Sequence, residues 1–146
     1  MLQVTAFIPT YFAATIAISL LTALLVVVSA IRHQRTEYLS LSLLCTFISV
    51  FQFSTWQYHT SLNLPDAVYW LKMQTSLIIL ILPVYFFTFS AWIKQKNRNF
   101  WGILLVIVAI VMIAINIMSD FSVRFSSVTQ LRTFEIWTGE TVSVIK

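Results

Sequence analysis

Few side chains in this chain have chemical potential, and their spacing decides what they can do. His33 and His59 are the residues best suited to ligate a haem iron. They stand 26 positions apart, about 39 Å along a continuous helix at about 1.5 Å per residue. One porphyrin cannot bridge that gap within one chain. Both histidines therefore read as interfacial polar residues, and no cofactor is expected. Cys45 is the sole cysteine, which excludes an intrachain disulfide and a thiolate-built zinc site. It reads as a small buried thiol. Gly102 and Gly139 are the only glycines, too far apart to form a phosphate-cradling loop. No nucleophile–base pair is recognisable, so catalysis within the chain is not expected.

Ligand recognition has a more specific pattern. Gln52, Trp56 and His59 recur at spacings of four and three, which places them on one helix face. Trp70, Lys72 and Gln74 are expected at the same depth from the next helix. Aromatic walls with a few polar groups suit a small ligand. The ordinary alternative is an aromatic belt with Lys72 reaching the lipid headgroups. Gln52, Gln57, Gln74 and Asn116 are amides inside apolar runs, where such groups commonly bond neighbouring helices. Thr15, Ser19 and Ala23 repeat at four-residue spacing, with Ala13 and Ala17 on another face. Small residues let helices approach closely, either as a homodimer seam or as packing inside one chain.

The elements that must position these residues are membrane helices. Of 146 residues, 59% are hydrophobic and 10% charged, against about 25% charged in soluble domains. Four stretches reach the length of about 20 apolar residues that spans a bilayer. In lipid each must satisfy its own backbone, so each is a helix. The fold class is thus all-α. A four-helix transmembrane bundle is expected over 1–119, with helices at about 6–31, 38–58, 66–93 and 100–118. The first run is too long for a signal-peptide core of about 7–15 residues. Asn63-Leu64-Pro65-Asp66 is a helix-start signal, and Pro83, deep in the third run, predicts a kink.

Charge placement sets topology. The net charge of +4 does not lie along one soluble face, which argues against nucleic acid as a partner. Arg32 and Arg35 join the first two helices, and Lys94, Lys96 and Arg98 join the last two, which together make five of the nine basic residues. The loop from His59 to Asp66 has none. The positive-inside rule then puts both basic loops in the cytoplasm and both ends of the chain outside. The apolar cores, the third taken between Lys72 and Lys94, hold no Asp, Glu, Lys or His, which argues against an ion or proton pathway. Beyond the fourth helix, 120–146 reads as a short extracytoplasmic segment. Leu131 to Trp137 and Thr141 to Ile145 form a strand-like pair about Thr138-Gly139-Glu140. The chain ends in that pattern, as a segment of a longer protein would.

Phe53-Ser54-Thr55-Trp56-Gln57-Tyr58, the Leu-Pro-Asp-Ala turn, Tyr69-Trp70-Leu71-Lys72-Met73-Gln74 and Leu82-Pro83-Val84-Tyr85-Phe86-Phe87 carry a resemblance. Over about 38–145 the chain resembles the N-terminal seven-helix membrane region of bacterial sensor histidine kinases and diguanylate cyclases. That family implies a sensory input module in the bacterial inner membrane, with an outward N-terminus, joined to a cytoplasmic output domain. Its stimulus would be a small ligand or the lipid bilayer itself. Only four of the helices are present, and Ser119-Asp120-Phe121-Ser122 stands where the family often has asparagine-proline-histidine. Ligand assignments therefore do not transfer. The rival expectation is a small structural membrane protein or transporter subunit.

Overall fold

The computed structural model describes residues 7–35, 37–120, 131–135 and 140–145. It contains four helices: α1 (Phe7–His33), α2 (Glu37–Thr60), α3 (Leu64–Trp92) and α4 (Arg98–Met118). All four are long and apolar enough to cross a membrane. A two-stranded antiparallel hairpin, β1 (Leu131–Glu135) and β2 (Thr141–Ile145), follows them. Its register runs from Leu131 opposite Ile145 to Glu135 opposite Thr141. The turn residues Thr138 and Gly139, with Ile136 and Trp137, lie outside the described residues.

The helix ends have local causes. Gln34 takes a left-handed φ of 50°, and the Arg35 N–H donates to the Ala30 carbonyl at 3.2 Å. Lys94 repeats this at the end of α3, with φ 50° and the Gln95 N–H donating to the Ser90 carbonyl at 3.0 Å. Both are the six-to-one closure that caps orphan carbonyls, made here without glycine. The two basic loops thus begin with the same backbone device. At its other end α3 starts behind an extended Asn63, with proline in its first turn and Asp66 near its positive pole. α3 continues as one helix through Pro83, which is buried.

Extensive packing runs between chain neighbours: α1 against α2, α2 against α3, and α3 against α4. Small and polar side chains dominate the interior, beside buried Leu44, Tyr58, Leu71 and Leu77. Ser49, Ser54, Thr88, Ser90 and Asn116 are the largest fully buried side chains, while Ile18, Leu21, Leu25, Ile103, Ile107 and Ile110 are exposed. That inversion of a soluble core has a physical reason. Lipid tails are as apolar as leucine, so helices gain by close packing and hydrogen bonding rather than by hiding leucine. The Ser42 hydroxyl reaches across to the Ala23 carbonyl of α1 at 3.0 Å. Ser49, Ser54, Thr75 and Thr88 donate instead to the carbonyl four residues back, which satisfies each hydroxyl inside its own helix.

On α4 the buried residues are Gly102, Ala109 and Asn116. They recur every seventh position, the seam of two helices crossing at a shallow angle. Phe87 of α3 lies directly over Gly102. Of the small residues singled out on α1, Ala23 is buried under α2, while Thr15 and Ser19 are half-buried and bond back within α1.

Candidate functional site

The hairpin docks on one end of the helices, near the C-terminus of α2 and the N-terminus of α1. Among the described residues, three hydrogen bonds join it there. The Ser143 hydroxyl donates to the Ser61 carbonyl at 2.7 Å. His59 Nδ1 lies 3.2 Å from the Ser143 carbonyl, so this nitrogen carries the proton and donates. The Glu140 carboxylate accepts the Ile8 N–H at 2.8 Å. That N–H is one of the orphan donors of the first turn of α1, where the helix dipole also favours negative charge. An isolated two-stranded hairpin is marginal in water. These contacts, with Leu131 packed beside Tyr58, Ala67 and Leu71, are what position it.

The six residues proposed for a pocket divide into two groups. Phe53 makes edge contacts to both Trp56 and Trp70, at centroid distances of 6.2 and 5.8 Å. Gln52 lies one turn deeper than Trp56, and its amide oxygen is buried without a hydrogen-bond partner. Gln74 is buried on α3. His59 is engaged by the hairpin, and Lys72 by α4. The Lys72 ammonium donates to the Ile117 carbonyl at 3.3 Å and to the Ser119 carbonyl, the last carbonyls of α4 and its negative pole.

The division follows from helix geometry. Positions two apart on a helix differ by about 200°, so Trp70 faces α2 while Lys72 turns to the α4 side. The Asn116 amide returns the contact from α4. It donates to the Lys72 carbonyl at 2.9 Å and to the Ser76 hydroxyl at 3.0 Å. Trp56, Phe53 and Trp70 thus form an aromatic cluster, with the Gln52 carbonyl buried one turn away. His59 and Lys72 instead tie α2 to the hairpin and α3 to α4.

Sequence reasoning passed over Ser61, Glu140 and Ser143. A strand residue and a turn residue carry no periodic signal that points to a helix end. Glu140 alone could have been flagged, as an acid outside the membrane suited to a helix N-terminus.

Fold and site together define a multi-pass α-helical membrane protein with a β-hairpin bound at one end of its helices. Its apolar helix surfaces suit contact with a lipid bilayer. Comparison with family models, with curated proteins and with solved structures finds no match to the chain.

Proposed function

We propose that this chain is the membrane-embedded sensory input region of a bacterial signal-transduction receptor, without catalysis of its own. It sits in the cytoplasmic membrane with both basic loops in the cytoplasm and the hairpin outside. One observation carries the reading: the hairpin is hydrogen-bonded to the end of α2 and to the first turn of α1 at once. A stimulus that displaces the hairpin changes the ends of two packed helices, and helices can carry that bias to the opposite end. The resemblance to sensor-kinase membrane regions agrees with it.

Spin labels at Gln34 and Lys96, both exposed in the basic loops, test the coupling in reconstituted vesicles. Glu140→Ala together with Ser143→Ala removes the two side-chain hydrogen bonds made by the hairpin and is expected to loosen it, the bond from His59 to the Ser143 backbone carbonyl remaining. The interlabel distance is expected to shift by about 1–2 Å, the scale of helix displacement in signalling transitions. A hairpin that detaches while the labels stay unmoved would favour a purely structural membrane protein.

Orientation has its own test. In a Cys45→Ser background, a cysteine at Leu62, which is exposed between α2 and α3, is expected to react with an impermeant thiol reagent on intact cells. Cysteines at Gln34 and Gln95 are expected to react only after permeabilisation. The reverse pattern would overturn the proposed topology.

A further inference from the structure

We infer that the basic end of the helices holds a binding site for an anionic phospholipid whose headgroup carries hydroxyls, of the phosphatidylglycerol type. A cleft of about 560 Å³ opens there between the first turn of α2 and the loop from α3 to α4. Glu37, Lys94, Gln95, Arg98 and Asn99 line it. A second cleft, of about 320 Å³, shares Glu37, Ala91 and Lys94 with it and adds Arg35. Three cations and one carboxylate leave the joined space with a net charge of +2. Basic pockets between membrane helices at this level are suited to lipid phosphates.

Depth and neighbours select a lipid over a soluble anion. The clefts lie where the helices leave the apolar zone, and Trp92 and Phe100 stand in their walls. Aromatic rings favour the headgroup level. Apolar faces of α1 and α4 are exposed, so acyl chains have surface to lie on directly beside the charged cleft. The phosphodiester would take Lys94 and Arg98, with Arg35 at the margin. Glu37 and the amides of Gln95 and Asn99 would take headgroup hydroxyls. Glu37 also disfavours a second phosphate in the same space. The first turn of α4 contains no acidic residue, and Asn97 makes no side-chain cap. The N–H groups of that turn, which the Asn97 side chain does not cap, add to the cations without being the basis of the site.

Delipidated protein in neutral detergent, titrated with phosphatidylglycerol, phosphatidylethanolamine or phosphatidylcholine and read by native mass spectrometry, tests the assignment. Phosphatidylglycerol is expected to be retained at the lowest concentration. Lys94→Gln with Arg98→Gln is expected to weaken it about thirtyfold, since each interfacial cation is worth about a factor of five. Arg132→Gln, an exposed cation on the hairpin, should leave retention unchanged. Unfolding followed by tryptophan fluorescence in phosphatidylcholine micelles should be alike for all variants, which separates lost binding from lost fold. Three results would each overturn the site: equal retention of phosphatidylethanolamine, equal loss in Arg132→Gln, or displacement of the lipid by millimolar inorganic phosphate.

Discussion

Replacing Gly102 with leucine is expected to be among the most damaging single changes in the helical region, lowering stability by about 1–3 kcal/mol through overpacking. Gly102 is buried on the face of α4 that meets α3, and even a Cβ at this position would overlap the tip of the Phe87 ring. The overlapping atoms are all at the far end of the Phe87 side chain, and a leucine reaches further into the same space than a Cβ does. Either α4 moves away from α3 or Phe87 leaves its rotamer. Unfolding in mixed detergent micelles, followed by tryptophan fluorescence, measures the loss. Phe87→Ala removes the obstructing atoms, so it should recover much of the loss in the Gly102→Leu background while destabilising the wild-type chain. That opposite sign is the signature of direct contact. Strictly additive effects, or a Gly102→Leu protein as stable as wild type, would refute the close approach of these helices.

The same interface separates what sequence can disclose from what it cannot. The four helices were legible because a bilayer imposes a length and forbids charge, and both constraints are one-dimensional. Expected and observed ends differ by a few residues, and the differences have causes. α1 and α3 finish on left-handed Gln34 and Lys94, residue types that give no warning of that conformation, whereas glycine would have done so. The hairpin strands were legible from alternation and from the turn residues between them.

Partner choice was less legible. Gln52, Trp56 and His59 share a face by periodicity, but periodicity gives no azimuth relative to the next helix. The structure joins Trp56 to Trp70 through Phe53 and gives His59 to the hairpin. Lys72 goes to α4. The seven-residue recurrence of Gly102, Ala109 and Asn116 was present in the sequence, yet it spans three different residue types. Only smallness unites the first two, and only a partner helix distinguishes them from lipid-facing alanines such as Ala114.

Asn116 and Lys72 form a junction whose removal is expected to free the end of α4. Asn116 is wholly buried and donates to the Lys72 carbonyl and the Ser76 hydroxyl. Lys72 in turn donates through its ammonium to the carbonyls of Ile117 and Ser119. One residue of α3 thus both receives from α4 and gives to it, close to the membrane boundary. Interhelical hydrogen bonds in bilayers are modest, about 0.6 kcal/mol on average and up to about 1.7. Asn116→Leu should lie toward the upper part of that range, because two acceptors lose one donor group in an apolar setting. The loss has a limit: the Ser76 hydroxyl can turn to the Lys72 carbonyl four residues back. Lys72→Met removes charge-assisted bonds, worth about 1.5–3 kcal/mol each in general, with water recovering part of this at the helix end. The double variant is expected to lose about 2–4 kcal/mol, less than the sum of the singles, because both changes open the same junction. Amide hydrogen exchange locates the effect. Protection should fall over Ile113 to Met118 while the α1–α2 pair keeps its own. Unchanged exchange at the end of α4 in the double variant would mean that its position is set by the heptad packing of Gly102 and Ala109 alone.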